Sequence, residues 1–155
     1  MLYNKKGDLL KSDCTVIMHQ ANCFKTMGAG IAKSIAKLYP EANKADKEYK
    51  ASPKNRLGNF SHAVIDDGPT VVNLYGQFGF GLEKVQTKYD KLESAIDKFL
   101  NYAKENNVNL SKVGAPYKMG CGLAGGDWDI VLKILNRQSE KHNVDIYIYE
   151  LWNEC

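Results

Sequence analysis

Two stretches of this chain share one order of local structure: an apolar strand, a glycine-bearing loop and an amphipathic helix. The first runs through residues 15–38, and its loop ends at Gly30; the second runs through residues 113–135 and carries four glycines between positions 120 and 126. Glycine lets a backbone approach a ligand closely, and N–H groups at a helix start point outward. In an open α/β sheet both loops would lie beyond the carboxyl ends of the strands. The pair predicts a diphosphate site, whereas either loop alone is equally explained as a flexible connection.

The rest of the chain alternates strands with helices. Apolar residues recur at helical spacing over residues 31–38, 89–105 and 127–141, and Pro40 begins a further helix over 41–50. Strands are predicted at 1–3, 15–22, 59–65, 71–75, 113–116 and 144–151, with loops at 52–55 and 76–81, the latter a candidate flap. The turn at 66–69 makes 59–75 a hairpin. This order predicts an α/β protein, a three-layer α/β/α sandwich with a mixed, mostly parallel central sheet and a single domain over residues 1–155.

Composition narrows the function classes. The 155 residues are 44% hydrophobic and 25% charged, with a net charge of +3. That charge suits an anionic small ligand but is too small to indicate nucleic acid, and no stretch of the sequence interleaves basic and aromatic residues in a stripe. No apolar run has the length of a membrane span. We expect a monomer with no membrane partner.

The four cysteines, at positions 14, 23, 121 and 155, match no zinc pattern. We therefore expect no metal and no cofactor. No signal peptide is recognised, so we expect free thiols and a cytoplasmic protein. Cys121, inside the second glycine loop, is either a nucleophile or a small structural residue; the absence of an adjacent base favours the second.

Three segments together resemble the macrodomain family of ADP-ribose-binding modules. They are Gly7-Asp8-Leu9, the loop ending Met27-Gly-Ala-Gly-Ile-Ala32, and Gly120-Cys-Gly-Leu-Ala-Gly-Gly-Asp-Trp128. Their order and spacing also match, so the resemblance covers nearly the whole chain. The branch it is most similar to contains terminal ADP-ribose protein glycohydrolase and the yeast-type ADP-ribose-1''-phosphate phosphatase.

The resemblance implies a set of ligand contacts. Asp8 would accept from the adenine amino group, with Leu9 beside it, although Asp8 is also explained as a turn cap. The C-terminal residues Tyr149, Leu151 and Trp152 would lie near the adenine, and Trp152 is equally explained as a packed aromatic. Two loops would hold the diphosphate and distal ribose: Met27, Gly28, Ala29, Gly30 and Ile31 on one side, and Gly120, Cys121, Gly122, Leu123 and Ala124 on the other.

The sequence departs from the family at its catalytic positions. The glycohydrolase of this branch uses a lysine where residues 73–77 here read Asn-Leu-Tyr-Gly-Gln, and an aspartate where Ala124 stands. Lys84 is nearby in sequence, but nothing places it at a ribose carbon. The covalent lysine mechanism is therefore not expected.

Polar residues remain for the distal-ribose end. The catalytic candidates are Asn22, His19 and Asp127, with Asn73 and Gln77 beside them. Asn22 can orient a ribose hydroxyl or a water. His19 is either an acid or base near neutral pH or a packed strand histidine. Asp127 is first a helix N-cap and second a group that positions water.

Two classes of function follow. The chain is either a hydrolase acting at the distal ribose of ADP-ribose derivatives (the 1''-phosphate, an O-acyl ester or an ADP-ribosyl adduct) or a module that binds ADP-ribose or a related nucleotide signal without turnover. The expected partners are ADP-ribose, its derivatives and ADP-ribosylated macromolecules. A dinucleotide-binding dehydrogenase is disfavoured because no G-x-G-x-x-G follows the first strand.

Overall fold

The computed structural model describes residues 1–80, 85–122 and 124–151. Within them lie six strands: β1 (Leu2–Lys6), β2 (Val16–Gln20), β3 (Phe60–Val64), β4 (Thr70–Leu74), β5 (Val113–Pro116) and β6 (Ile146–Glu150). The α-helices are α1 (Gly30–Leu38), α2 (Pro40–Glu48), α3 (Pro53–Arg56), α4 (Tyr89–Glu105) and α5 (Trp128–His142). A short 3₁₀ turn, Leu9–Lys11, follows β1.

The strands form one sheet in the order β1-β6-β5-β2-β4-β3. Every neighbouring pair is parallel except the β3–β4 hairpin. The mixed, mostly parallel sheet and the hairpin are therefore confirmed. Because the five parallel strands run in one direction, the loops after all five emerge at the same edge of the sheet.

Helices cover both faces of the sheet. On one face α4 and α5 pack over alternate strand residues, among them Val16, Met18, Ile146 and Ile148. On the other, Ile17 and Val71 pack with residues of α1 and the turn before α2. Neighbouring residues of a strand point to opposite faces, so a strand buried on both sides reads as a continuous apolar run, as β2 does. The predicted three-layer arrangement is confirmed.

Local signals account for the helix ends. The side chain of Asp127 accepts a hydrogen bond from the Asp129 N–H at 2.9 Å and caps α5, as predicted. Asn143 ends that helix with a left-handed backbone at φ 53°. Pro40 begins α2, as its fixed φ favours.

Residues 53–56 form a helix where a loop was predicted. The reason is tertiary: Arg56, at the end of α3, is fully buried and its guanidinium lies 3.1 Å from Asp46 Oδ1. The guanidinium also lies over the rings of Tyr49 and Tyr75, 5.2 and 5.3 Å from their centroids. A buried charge of this kind needs its partner and hydrogen bonds, which fix the position of the short helix.

Candidate functional site

A cavity of about 930 Å³ lies at the carboxyl edge of the sheet. Each parallel strand contributes a residue that follows it, and these are Gly7 after β1, Ala21 after β2, Gln77 after β4, Tyr117 after β5 and Leu151 after β6. A volume near the top of the range for small-molecule and cofactor sites, about 300–1,000 Å³, fits an extended ligand. The prediction that both glycine loops meet at this edge holds in the structure.

The first loop, residues 21–29, is held by Asn22. The Asn22 Oδ1 accepts from the Phe24 N–H at 2.8 Å, and its Nδ2 donates to the carbonyl and hydroxyl oxygens of Thr26 at 2.9 and 2.7 Å. Asn22 lines the cavity, but its amide is committed to the loop. Its primary structural effect is therefore to shape the loop that leads into α1.

The described part of the second loop, residues 117–122 and 124–127, folds back on itself through hydrogen bonds to Gly120. Gly120 has φ +76°, and its carbonyl accepts from the Gly126 N–H at 2.9 Å and from Thr87 Oγ1 at 2.6 Å. A Cβ on Gly126 would lie 2.5 Å from the Gly120 carbonyl oxygen. These two glycines are required by the protein's own packing.

Gly28 and Gly122 are different, because no contact with residues 1–80, 85–122 or 124–151 requires glycine at either position. A Cβ built on either would meet no atom within 4 Å, and neither has φ in the left-handed region. Both line the cavity, one from each loop. The absence of a side chain therefore keeps open space that a ligand can fill.

Three polar side chains join the two loops. Gln20 Nε2 donates to Gln77 Oε1 and to Thr87 Oγ1, both at 2.9 Å, and Gln77 Nε2 donates to the Gly79 carbonyl at 2.7 Å. Gln77 was predicted near the site, but Gln20 and Thr87 were not. The polar end of the first strand was the available signal for Gln20; only the fold brings Thr87 beside it.

Asp8 and Leu9 lie at the part of the cavity formed after β1 and β6. Asp8 Oδ1 accepts from the Leu10 N–H at 2.9 Å and caps the 3₁₀ turn. Leu9 is buried in a cluster with Ile31 and Tyr149, which both line the cavity. This gives a carboxylate beside an apolar wall, the pairing that an adenine ring with its amino group requires. Asp8 therefore serves as a cap and still lines the site.

Charge in the cavity is sparse. Among the described lining residues only Asp8 and Lys118 carry a formal charge at neutral pH. An anion bound between the loops would therefore be stabilised mainly by backbone N–H groups and by the start of α1, where Gly28, Ala29, Gly30 and Ile31 line the cavity.

Several predicted residues do not line the cavity. His19 is fully buried on the sheet, where its Nε2 lies 2.6 Å from Asn73 Oδ1, and burial lowers its pKa. Asn73 is itself buried, donating to Ala42 and Ser61. Alternation along β2 turns the His19 ring toward the α1–α2 side of the sheet. Of its two predicted interpretations, a packed strand histidine matches this position, and an acid or base in the cleft does not.

Three further predicted residues do not line the cavity: Asp127, Met27 and Cys121. Asp127 uses its carboxylate to cap α5, the first of its two predicted roles. Met27 is buried against Ile35 and Val71. The Cys121 thiol donates to the Met119 carbonyl at 3.4 Å, and burial, with Asp127 second, raises its pKa to about 11. A thiol with that pKa is protonated at neutral pH and is a poor nucleophile.

The other predicted contacts divide in two. Gly120, Gly122, Ala124, Tyr149 and Leu151 line the cavity as expected. Leu123, Trp152 and Lys84 lie outside the described residues. Lining residues that the sequence did not single out include Thr26, Ser34, Phe80, Tyr117 and Lys118.

Two absences hold for the described part of the chain. In residues 1–80, 85–122 and 124–151, no group of three or more His, Cys, Asp or Glu side chains is placed to hold a metal ion. No helix within those ranges has the length and apolar character needed to cross a membrane.

Fold and cavity together define an α/β protein with a ligand cleft built from five strand ends and two glycine loops. Residues 18–135 match the family model described as Macro domain. The chain belongs to the macrodomain family.

Three relatives illustrate the similarity. An uncharacterized 17.5 kDa protein of Enterobacteria phage T4 is 31% identical over 94% of each chain. A DNA ADP-ribosyl glycohydrolase of Mycobacterium bovis is 26% identical over 96% of this chain, which spans 42% of that relative's length. The solved macrodomain of Mycobacterium tuberculosis DarG superposes with a TM-score of 0.77 at 25% identity, covering 96% of this chain and 97% of the other.

Proposed function

We propose that this macrodomain binds ADP-ribose in the cavity at the carboxyl edge of its sheet. The observation that carries the proposal is the pair Gly28 and Gly122. They line one cavity from two loops, and a Cβ at either position would meet no atom of the described residues within 4 Å. A diphosphate between the loops would fill the space that side chains would otherwise take. Backbone N–H groups and the start of α1 would stabilise its charge.

The two parts of the cavity suit the two ends of this ligand. The Asp8 carboxylate, beside Leu9 and Tyr149, offers an acceptor and an apolar wall to the adenine. Gln20, Asn22 and Gln77 line the part of the cavity proposed for the distal ribose, where Asn22 shapes the loop through hydrogen bonds of its own amide. The mycobacterial relative is a DNA ADP-ribosyl glycohydrolase, and that activity supports the same ligand chemistry.

Hydrolysis at the distal ribose is the second candidate, favoured by that relative's alignment across 96% of this chain. In the described lining near Asn22 and Gln77 no acid or base is present, since His19 and Asp127 lie elsewhere. The site could contribute to catalysis in three ways: it could orient a water, hold a ribose hydroxyl, and stabilise growing negative charge with N–H donors. They favour a 1''-phosphate or an O-acyl ester, whose leaving groups are good, over an N-glycosidic adduct. No covalent enzyme intermediate is expected.

Calorimetry and chromatography separate the two candidates. We expect free ADP-ribose to bind one site per chain with micromolar-order affinity, about −8 kcal/mol. ADP-ribose-1''-phosphate, O-acetyl-ADP-ribose and ADP-ribosylated DNA or protein are then incubated with the chain and product release is followed. Binding without any turnover would leave the module function and remove the hydrolase. No saturable heat at millimolar ligand would remove both.

A further inference from the structure

The outer part of the sheet carries a second surface, which borders the cavity at Tyr149. In the parallel β1–β6 pair, Tyr3 is the register partner of Tyr147 and Lys5 is that of Tyr149. Ile146 and Ile148 point into the α4–α5 core, so alternation turns Tyr147 and Tyr149 to the opposite face. Their register partners point the same way.

Lysines and tyrosines interleave on this face. The rings of Tyr3 and Tyr147 stack with centroids 5.0 Å apart and planes at 18°. Lys112 Nζ, from the residue before β5, lies 5.1 Å from the Tyr147 centroid and 5.8 Å from that of Tyr149. Lys5 Nζ lies 5.9 Å from the Tyr147 centroid. All three distances are within the cation–π range of about 6 Å. These five residues are called the tyrosine–lysine face.

The face is open to solvent at the sheet edge. β1 is the edge strand, Lys5 is exposed, and Tyr3 is 38% exposed. The helices on this side, α1 and α2, pack mainly against β2, β3 and β4. In the described chain they make few contacts with β1 and β6. Tyr3 stacks on Tyr147, and that is its ring contact among the described residues, so its outer surface is available to a partner.

We propose that the tyrosine–lysine face binds single-stranded nucleic acid, with a base stacked on Tyr3 and phosphates held by Lys5 and Lys112. An exposed ring beside lysines supplies a stacking surface and charges for phosphates, which sequence-tolerant single-strand binding combines. Cross-strand tyrosine pairing alone would explain the ring stack as sheet stabilisation. It would not explain why two lysines from distant segments, Lys5 in β1 and Lys112 before β5, converge on the Tyr147 ring. A duplex lacks free base faces and is excluded as the preferred ligand.

Acidic residues next to the face form ion pairs with lysines and reduce its positive charge. Asp13, 81% exposed at its side chain, forms an ion pair with Lys112; Glu150 pairs with Lys6 at 2.5 Å. The face also continues into the cavity, because Tyr149 belongs to both. A strand bound on the face would therefore pass the part of the cavity formed by Asp8 and Leu9. The surface is separate from the proposed ADP-ribose contacts of the two glycine loops.

The test is fluorescence anisotropy of a labelled single-stranded oligothymidylate titrated with the whole chain at several salt concentrations. Tyr3→Ala is expected to weaken binding at least about fivefold, and Tyr3→Phe to retain it, because stacking needs the ring and not the hydroxyl. Lys5→Glu is expected to weaken binding and to lower the salt slope by about 0.7 per lost phosphate contact. Asp13→Asn, which frees Lys112, is expected to tighten binding.

Two control variants, Lys133→Glu and Gly122→Val, change residues outside the tyrosine–lysine face. Lys133→Glu makes the same charge change at an exposed site on α5, across the sheet, and is expected to have little effect. Equal weakening by Lys133→Glu and Lys5→Glu, equal competition by duplex DNA, or no saturable binding at low salt would overturn the proposal. Gly122→Val lies in the second glycine loop, away from this face, and is expected to leave oligonucleotide binding unchanged; loss of binding in this variant would place the oligonucleotide in the cavity and overturn the proposal. Self-association that Tyr3→Ala abolishes would assign the face to a second copy instead.

Discussion

His19 Nε2 and Asn73 Oδ1 lie 2.6 Å apart at directly paired positions of β2 and β4, both fully buried. Burial lowers the pKa of His19, because the charged ring loses its solvation. The ring is therefore neutral near physiological pH and is part of the interior of the sheet.

The first prediction is a pH dependence of stability. The unfolded chain, with an ordinary histidine pKa of about 6.5, takes up the proton more readily than the folded chain. Neutral His19 therefore contributes to the free energy of unfolding above pH 6.5. This contribution is lost as the pH falls toward the lowered folded-state pKa, and the free energy of unfolding decreases by at most about 1.4 kcal/mol per pH unit. Urea unfolding at a series of pH values should show a smaller decline for His19→Gln than for the parent chain. Identical pH profiles would mean that His19 does not titrate differently in the two states.

Gly122 tests the cavity. A Cβ there meets nothing within 4 Å and φ is ordinary, so Gly122→Val should remain folded. Its side chain would occupy the ligand space, and ADP-ribose affinity should fall more than a hundredfold by calorimetry. Gly126→Ala is the contrast in the same loop: its Cβ would lie 2.5 Å from the Gly120 carbonyl, and the melting temperature should fall. Normal binding by Gly122→Val would show that this loop does not hold the diphosphate.

Asp8 has two roles that substitution can separate. Asp8→Ala removes the cap on Leu10 and the adenine contact, and should weaken ADP-ribose binding by about 1 to 3 kcal/mol. Asp8→Ser keeps a good N-cap residue, so its stability should stay near that of the parent chain while the preference for adenine over hypoxanthine is lost. The measurement is the affinity of each variant for ADP-ribose and for its hypoxanthine analogue, obtained by calorimetry. An unchanged preference would leave Asp8 as a cap alone.

Asn22 is expected to affect binding and turnover together. Asn22→Ala removes three hydrogen bonds within the first loop, so the loop must be ordered again when ligand binds. ADP-ribose affinity should fall about tenfold and turnover of the ester or phosphate substrate more than tenfold, about 1.4 kcal/mol or more in the barrier. Thr26→Ala, which loses one of these bonds, should show a smaller effect. Lost turnover with unchanged affinity would indicate that Asn22 contacts the substrate directly.

Cys121 is expected to be chemically quiet. Burial raises its pKa to about 11, and its thiol hydrogen-bonds to a backbone carbonyl. Cys121→Ala should keep any hydrolase activity within about twofold, because the thiol carries no step of the reaction. Alkylation by iodoacetamide at neutral pH, followed by mass spectrometry of the tryptic peptide, should be slow at this residue. Rapid labelling together with loss of turnover would restore the nucleophile interpretation.

The sequence by itself determined the parts whose signals are local. Short stretches of residues predict the strand–loop–helix order, the Asp127 cap and the β3–β4 turn. The physical causes are local: alternating burial, helix capping and turn geometry. The two glycine loops could be expected at one edge because parallel strands end together.

Tertiary structure decided which face each side chain meets. His19 could be placed at a strand end from the sequence, but only the layer of α1 and α2 over that face removes it from the cleft. Gln20 reaches Thr87, and Tyr3 reaches Tyr147, through sheet register and loop packing between distant segments. Register sets these pairs, and it depends on how the buried faces of all strands fit together, which no single stretch of the sequence specifies.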